Sequence, residues 1–411
     1  MSEKRLVYSL MPCQGESGKH GIGRVSWEIF KGLLNRLDDS WEIIAVLSSN
    51  LNLRKGLQIV DEIKKLRKSV DVELFEADGF SNYFDMINRG EDYVAYELAL
   101  EYFVSQLGPT HYFNPSHFEW DHPTSLGKLK MAFRTYVVLY DLIPYLFREH
   151  YLNASFMKEW YFSRLREIVN ADYFFAISNQ TKKDFVNHLH IDSARIFLTY
   201  LDASETFKKL SEEEITKGED VLQNFNILKP YLLYVPSGYD FRKNIEKLIE
   251  AFSKLPSKVR KEHQLVITSE FPPEILNILR NKIKSLGLKE EEVVFTGYVS
   301  DSDLCYLYNL AKLFVYPSLY EGFGLPVLEA MRCGCPVIGS NTAGVIEIIV
   351  EKCAMFDPNN VDEMAGLMHR ALTDEIFRRF LIENSERQQK RFSWNRSMDI
   401  IVSVLEGRCD S

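Results

Sequence analysis

The sequence predicts an α/β protein made of two doubly wound domains. Its 411 residues suffice for two domains that each bury their own core. Short apolar runs typical of buried strands alternate with amphipathic segments in both halves, which indicates parallel sheets covered by helices. Glycines and polar residues follow several strands, at the edge where such sheets bind ligands. We place the domains at residues 1–205 and 225–390, with the acidic, lysine-bearing stretch 204–228 as the linker.

Composition and charge exclude several classes of protein. The net charge of −9 argues against a nucleic-acid-binding protein, because no basic excess exists to neutralise phosphates. The six cysteines form neither a C-x-x-C pair nor a cluster with zinc-site spacing, and we expect reduced thiols. The apolar part of the start is too short for a signal peptide, and no apolar run has membrane-spanning length. We therefore expect a cytoplasmic protein.

In the first half, the predicted strand Leu6–Leu10 leads through a polar loop to Gly21-Ile-Gly23-Arg24 and the helix Val25–Leu37. Such glycines mark a ligand-binding face in doubly wound sheets, although a glycine turn kept for helix packing gives the same pattern. No G-x-G-x-x-G is present, and the next strand, Trp41–Leu47, ends without an acid for a ribose. Both observations disfavour a nicotinamide-dependent dehydrogenase.

A basic helix is predicted over residues 53–70. Six lysines and arginines surround an apolar stripe of Ile59, Val60, Ile63 and Leu66. This pattern fits a helix that lies on an anionic membrane surface, and it also fits an ordinary outer helix of a soluble domain. Both interpretations stay open at this point.

In the second half, Arg242 and Lys243 follow the predicted strand Tyr231–Val235 at a strand-to-helix turn. Two cations at this position are placed to hold a diphosphate, although two solvated basic residues would give the same pattern. After the strand 292–297, Gly297 and Tyr298 are expected to offer backbone groups to a nucleotide base. We expect Asp301-Ser-Asp303 to cap a helix rather than to bind a metal ion.

The stretch from Tyr316 to Ser340 organises the second half. An apolar strand ends at Tyr316, a loop with Gly322, Phe323 and Gly324 follows, and a helix begins near Pro326. The free N–H groups around Gly324 and Leu325 are expected to bind an anion. Glu321 precedes the glycines and Glu329 lies about one turn into the helix. Phosphate-binding groups at one end and carboxylates for hydroxyls at the other suggest a sugar nucleotide.

Glu321 and Glu329 are separated by seven residues, and the segment EGFGLPVLEAM resembles the E-x7-E signature of the retaining GT-B glycosyltransferases of family 4, or group 1. The resemblance extends to the segments DLIP, AISNQTKKD and RKN. It implies the GT-B fold, in which two Rossmann-like domains face a central cleft and a C-terminal helix, here 391–411, crosses back to the first domain. It further implies that Glu321 holds the donor sugar, Glu329 the ribose, and Arg242, Lys243 and Gly322–Leu325 the diphosphate.

The resemblance implies a metal-independent, retaining hexosyltransferase without a cofactor. We expect it to move a sugar, with mannose from GDP-mannose favoured, to a hydroxyl of a glycan or lipid-linked glycan in bacterial surface polysaccharide synthesis. Peripheral contact with the inner face of the membrane is part of this expectation. The alternatives are a GT-B-fold sugar-nucleotide epimerase or phosphorylase, and a non-catalytic carbohydrate-binding relative.

The first domain would bind the acceptor, with the backbone at Gly21 and Gly23 also approaching the donor phosphates. Asp141, at the end of a strand, either accepts a hydrogen bond from an acceptor hydroxyl or caps the strand end. His117 and His122 either stack on an acceptor sugar or lie on the surface. The sequence departs from the family at Tyr140, where a histidine is usual, and at Ser237, where many members have an arginine that Arg242 would replace.

Overall fold

The computed structural model describes residues 4–16, 21–76, 82–124, 126–129, 132–216 and 218–408. The strands are β1 Lys4–Ser9, β2 Trp41–Ser48, β3 Asp71–Phe75, β4 His111–Asn114, β5 Arg134–Leu139, β6 Tyr173–Ala176, β7 Ile196–Leu198, β8 Tyr231–Tyr234, β9 Gln264–Ile267, β10 Val293–Phe295, β11 Leu313–Tyr316, β12 Val337–Ser340 and β13 Met355–Phe356.

The helices cover both faces of the sheets. They are α1 Met11–Gln14, α2 Gly21–Arg36, α3 Leu53–Leu66, α4 Tyr83–Arg89, α5 Tyr93–Gln106, α6 Ile143–Leu146, α7 Arg148–Tyr151, α8 Ser155–Ile168, α9 Asn179–Leu189, α10 Glu212–Thr216, α11 Gly218–Asn224, α12 Ile245–Ser253, α13 Ser257–Glu262, α14 Pro273–Ser285, α15 Asp301–Leu310, α16 Leu325–Arg332, α17 Ala343–Ile349, α18 Val361–Thr373, α19 Glu375–Gln388 and α20 Trp394–Leu405.

The chain divides into two compact units. The first contains residues 1–201 together with 394–411, and the second runs from Asp202 to Ser393. Helix α20 therefore groups with the first unit, where it packs on α2. The stretch 204–228, predicted as a linker, instead carries α10 and α11 within the second unit. Helix α11 packs on α15, and a Cβ added to Gly218 would lie 2.8 Å from side-chain atoms of Tyr306 and Leu310, so this stretch is part of the unit's packing.

The first unit is built on a seven-stranded parallel sheet in the order β3-β2-β1-β4-β5-β6-β7. Its central strands are apolar on both faces because helices cover both, as parallel sheets require. The order reverses between β1 and β4, where Val7 pairs with Tyr112. The carboxyl edge at this reversal is the place where doubly wound sheets bind ligands.

The second unit repeats this plan with six parallel strands in the order β10-β9-β8-β11-β12-β13. Its reversal lies between β8 and β11, where Leu232 pairs with Leu313. The predicted strand-to-helix turn with Arg242 follows β8, and the loop with Glu321 follows β11. The topology thus brings segments almost 80 residues apart in the chain to one edge of the sheet.

Two local predictions in the first unit are corrected by the structure. Gly21 and Gly23 form the first turn of α2 and are not a turn ahead of it. The basic helix α3 ends at Leu66, with Arg67 as its C-cap. It buries Ile59 and Ile63, whereas Leu66, assigned to the apolar stripe, is exposed. Within the described residues, every helix is too short or too polar to cross a bilayer.

Candidate functional site

Three charged side chains meet at the carboxyl edge of the second sheet. The Glu321 carboxylate accepts hydrogen bonds from Arg242 Nη1 at 2.7 Å and from Lys243 Nζ at 2.8 Å. Arg242 Nε also lies 3.6 Å from the carboxylate of Asp240. Two cations and two carboxylates therefore balance one another, and the cluster adds no net charge to the edge of the sheet.

Burial and pairing set the protonation states of this cluster. Burial alone raises the pKa of Glu321, but the Lys243 ammonium and the Arg242 guanidinium outweigh it and lower that pKa to about 2. Burial also lowers the pKa of Lys243, and the Glu321 carboxylate counteracts this shift. Only 3% of Lys243 is exposed, so the alternative interpretation of Lys243 as a solvated basic residue is wrong. The buried ammonium is held in place by the ion pair with Glu321.

The turn that carries Arg242 and Lys243 is fixed by hydrogen bonds that the sequence alone does not reveal. Asp240 caps the turn by accepting from the Arg242 N–H at 3.0 Å, and the buried Tyr234 hydroxyl donates to the Lys243 carbonyl at 2.7 Å. Asn244 adopts a left-handed backbone conformation, with φ of 59°. Its side-chain amide donates to the carbonyls of Pro317 and Pro358, which ties the turn to the loop after β11.

The glycine loop and α16 have the predicted form. Gly324 has φ of 111°, a conformation that residues with a Cβ rarely adopt, and it is the N-cap of α16. Leu325 and Pro326 open the helix, as expected for a proline in the first turn. Glu329 is buried on this helix, and one of its carboxylate oxygens accepts a hydrogen bond from Tyr308 at 3.0 Å.

Gly344 is a supporting residue whose role the sequence reading did not identify. Its N–H donates to the Glu321 carbonyl at 3.1 Å. A Cβ at this position would lie 2.6 Å from the Gly322 carbonyl oxygen and 2.8 Å from the Phe323 Cα. Only glycine allows this close approach. A glycine kept at this position in all related sequences would be the signal that identifies its role.

The remaining predicted residues of the second unit follow its outer strand, β10. Gly297 and Tyr298 follow β10, and Gly297 has φ of 73°. The Tyr298 side chain is 78% exposed. Ser300, rather than Asp301, is the N-cap of α15, and the Ser300 hydroxyl exchanges hydrogen bonds with the backbone and carboxylate of Asp303. Asp301-Ser-Asp303 therefore forms the first turn of α15, and the expectation that this segment caps the helix is wrong.

Asp141 and the GIGR segment belong to the first unit, at the carboxyl edge of its own sheet. The Asp141 carboxylate accepts from the Ile143 N–H at 2.9 Å, in the turn between β5 and α6. This hydrogen bond fits the capping role at the end of the strand, which was one of the two alternatives. Gly23 is buried and Gly21 is exposed at the start of α2. The predicted contacts of these residues with a ligand stay predictions.

Both loop histidines are buried, so the interpretation as surface residues is wrong. His117 lies 3.9 Å from the Glu167 carboxylate, and burial holds its pKa well below the usual value. His122 Nδ1 pairs with Asp121 at 2.6 Å. Ligand atoms of Glu119, Asp121 and His122 lie within 4.8 Å of one another, a group that has the donor types for a divalent cation.

Tyr140, at the position where the resembling family usually has histidine, is half-buried, and its hydroxyl is buried near Glu119. Burial raises the pKa of its hydroxyl, so the side chain is neutral at physiological pH. A neutral phenol can donate one hydrogen bond but cannot carry the positive charge that an imidazole can. The replacement therefore changes the chemistry available at the end of β5.

The protein thus consists of two doubly wound α/β units, with a cluster of charged side chains at the strand reversal of the second. The profile of the family described as "Glycosyl transferases group 1" matches residues 220–388, which include this edge and the glycine loop. Residues 220–388 therefore match the group 1 glycosyl transferases, and the recognition made from the E-x7-E segment is confirmed.

Two curated relatives come from Escherichia coli. The serotype-specific mannosyltransferase WbdA is 31% identical over 401 residues, which are 95% of this chain and 46% of that protein. The O-antigen chain mannosyltransferase B is 33% identical over 228 residues, 55% of this chain and 58% of that protein. The chain thus spans about half the length of these relatives.

Solved structures show the same fold. HepE from Anabaena, in complex with UDP and glucose, superposes with a TM-score of 0.69 at 16% identity, covering 98% of this chain and 100% of that chain. WaaG, a glycosyltransferase involved in lipopolysaccharide biosynthesis, gives 0.68 at 17% identity, covering 98% and 99%. The predicted fold class, GT-B, is therefore confirmed.

Proposed function

We propose that this chain is a retaining glycosyltransferase that moves a hexose from a nucleoside diphosphate donor to a hydroxyl of a glycan. The observation that carries the proposal is the cluster of Arg242, Lys243 and Glu321 at the strand reversal, directly before the glycine loop that opens α16. The family match includes all of these residues. The charged cluster alone would indicate no more than a charged loop, and the family match is what connects it to glycosyl transfer.

The diphosphate is held by cations and by backbone N–H groups. Arg242 and Lys243 supply positive charge, and the first N–H groups of α16, around Gly324 and Leu325, point out of the helix. In the ligand-free protein the two cations are balanced by Glu321 and Asp240. The guanidinium has five N–H donors and can bind phosphate oxygens while it keeps its carboxylate partner. Negative charge develops on the phosphate as its bond to the sugar breaks. The two cations and the helix N–H groups are already in place to stabilise that charge.

The two glutamates have different tasks. Glu321 is ionised and aligned by two cations, and it accepts hydrogen bonds from the donor-sugar hydroxyls. Glu329 lies one turn into α16 and accepts from the ribose. The acceptor hydroxyl forms its bond to the anomeric carbon on the face that the phosphate leaves. The departing phosphate oxygen takes the hydroxyl proton, so the configuration is retained and no metal ion or cofactor is required.

The donor we favour is GDP-mannose, and the acceptor is a glycan or lipid-linked glycan of a surface polysaccharide. The support is that two of its relatives, WbdA and the O-antigen chain mannosyltransferase B, are mannosyltransferases. Gly21, Gly23 and Asp141 lie at the carboxyl edge of the first sheet, and we assign the acceptor to that unit. A bacterial cell would use such an enzyme in the cytoplasm, where sugar nucleotides are made.

A membrane-bound acceptor fits one surface of the first unit. Helix α3 exposes Leu53, Leu57 and Leu66 beside the exposed lysines Lys64 and Lys65. Apolar side chains together with cations bind anionic lipid headgroups at an interface. We propose peripheral contact through α3, which vesicles of phosphatidylglycerol test: Leu57→Glu should reduce co-sedimentation several-fold, while Ile278→Glu, at an exposed apolar residue of α14, should leave it unchanged.

The activity is tested by incubating the protein with a panel of sugar nucleotides, with and without mannose-containing acceptors, and measuring release of the nucleoside diphosphate. We expect acceptor-dependent release from GDP-mannose, and NMR of the product should show the anomeric configuration of the donor. Conversion of a sugar nucleotide without acceptor would indicate an epimerase. Phosphate-dependent cleavage of a glycan would indicate a phosphorylase, and binding without turnover a carbohydrate-binding protein.

The matched control for the site is the ion pair of Glu292 with Arg260, at 2.9 Å. Glu292 is as buried as Glu321 and belongs to the same unit, but it precedes β10 and so lies at the amino edge of the sheet. Glu292→Gln should keep its activity, whereas Glu321→Gln should lose most of it. Equal losses in the two variants would contradict the site.

A further inference from the structure

Tyr308 lies on α15 and contacts α16 beside the proposed donor site. Its hydroxyl donates a hydrogen bond to Glu329 Oε2 at 3.0 Å, and both side chains are buried. We infer that Tyr308 is a positioning residue that aims the Glu329 carboxylate at the ribose of the donor. This inference rests on the proposed function, because it names the residue that orients one of the assigned ligand-binding groups.

The tyrosine ring is held rigidly. Phe207 and Phe314 pack edge-on against it, with ring centroids 5.7 Å and 5.5 Å away. The ring has no exposed surface, and burial raises the pKa of its hydroxyl, so the group stays a donor at any physiological pH. A fixed donor of this kind can set the orientation of the flexible side chain that accepts its hydrogen bond.

Such a partner can fix the orientation of the Glu329 side chain. A glutamate has three side-chain torsions, and fixing them costs conformational free energy. If a partner fixes them before the donor arrives, this cost no longer reduces the affinity for the ribose. A hydrogen bond to a charged acceptor is stronger than one between neutral groups, so one carboxylate oxygen is held before the donor arrives. Preorganisation of this kind raises affinity without a new contact to the ligand.

The helices that carry the two residues are in contact at a second point. Cys305 Sγ and Cys333 Sγ lie 3.9 Å apart, three residues before Tyr308 and four after Glu329. Helices α15 and α16 therefore pack side by side through this region, and the hydroxyl is not brought to the carboxylate by a mobile loop. A change at Tyr308 is transmitted to Glu329 directly.

The experiment compares Tyr308→Phe with Tyr231→Phe in the full chain. Tyr231 is an equally buried tyrosine of the same unit, and its hydroxyl donates to the Leu307 carbonyl at 2.7 Å. For Tyr308→Phe we expect donor KM and the Kd for GDP to rise about 10-fold, the order expected for one hydrogen bond to a charged group, with kcat within about 2-fold. Tyr231→Phe should change neither, although both variants lose a buried hydroxyl.

A double-mutant cycle separates positioning from general destabilisation. Tyr308→Phe added to Glu329→Gln should weaken GDP binding no further, because the residue acts through Glu329. Site-specific 3-fluorotyrosine at position 308 keeps the donor and should restore wild-type KM. Additive losses, or equal losses in Tyr231→Phe, would overturn the inference. So would unchanged KM in Tyr308→Phe while the wild-type protein transfers sugar. A wild-type protein that binds no nucleoside diphosphate would instead overturn the proposed function, and the inference with it.

Discussion

The ionised carboxylate of Glu321 makes the stability of the second unit depend on pH in a way that can be calculated. Glu321→Gln keeps the shape of the side chain and removes its charge. The Lys243 ammonium, only 3% exposed, then loses its main counter-charge, and the Arg242 guanidinium loses a partner at 2.7 Å. Breaking a buried pair by removing one member is strongly destabilising, because it leaves an uncompensated charge.

The lowered pKa gives the size and sign of the effect. A carboxyl group whose pKa falls from 4.5 unfolded to about 2 folded stabilises the folded state by about 3 kcal/mol at neutral pH. This contribution is fully present well above pH 4.5 and is lost as the pH falls toward 2, because the unfolded state binds the proton first. About 2 kcal/mol of it should be lost by about pH 3. The stability gap between wild type and Glu321→Gln should narrow by that amount.

Urea unfolding at pH 7 and at pH 3 measures the gap. All five tryptophans lie in the first unit, so their fluorescence does not follow the second. Hydrogen exchange of peptides from β8 and β11, read by mass spectrometry, follows the second unit directly. Lys243→Met added to Glu321→Gln is the control, and it should recover part of the loss at pH 7, because the unpaired ammonium is removed. A gap of the same size at both pH values would refute the reasoning.

Four further predictions concern activity. Transfer should survive EDTA, because side chains are assigned to neutralise the phosphate charge. A complete loss of transfer that Mg²⁺ or Mn²⁺ restores would contradict this assignment. Lys243→Ala should lower transfer about 100-fold or more and also destabilise the second unit, since the ammonium is buried; near-normal turnover at saturating donor would exclude a role. Steady-state kinetics should show that Glu321→Gln mainly lowers kcat and Glu329→Gln mainly raises donor KM, and the opposite pattern would reverse their roles. Gly344→Ala should cost about 1–3 kcal/mol and at least 10-fold in activity, measured by urea unfolding and turnover, because its Cβ would displace the glycine loop.

The sequence by itself determined the local framework of the site. An apolar strand that ends at Tyr316, glycines that tolerate unusual backbone angles, and a proline at the start of a helix are signals within about 15 residues of one another. They predicted β11, the left-handed Gly324 and the start of α16, and all three are present. The E-x7-E spacing led to the correct family for the same reason, because a short segment carries its geometry with it.

Other predictions failed where a local signal was compatible with two structures. The polar, charged stretch 204–228 has the composition of a linker, yet its few apolar residues suffice for two short helices that pack in the second unit. The glycines of GIGR signal a turn, but they lie inside α2. Glycine permits a turn without requiring one, and neighbouring contacts decide which conformation forms.

Only the tertiary structure decided which residues support the charged cluster. Parallel strands adjacent in the sheet are joined by long crossovers, so Lys243 and Glu321 are neighbours although 78 residues separate them. The same holds for Gly344 beneath the glycine loop and for Tyr308 against Glu329, which the strand β11 separates in the chain. The sequence also left open that Lys243 is a solvated basic residue, since charged side chains are mostly exposed. The ion pair with Glu321 is what allows Lys243 to be buried, and no local pattern in the sequence indicates that partner.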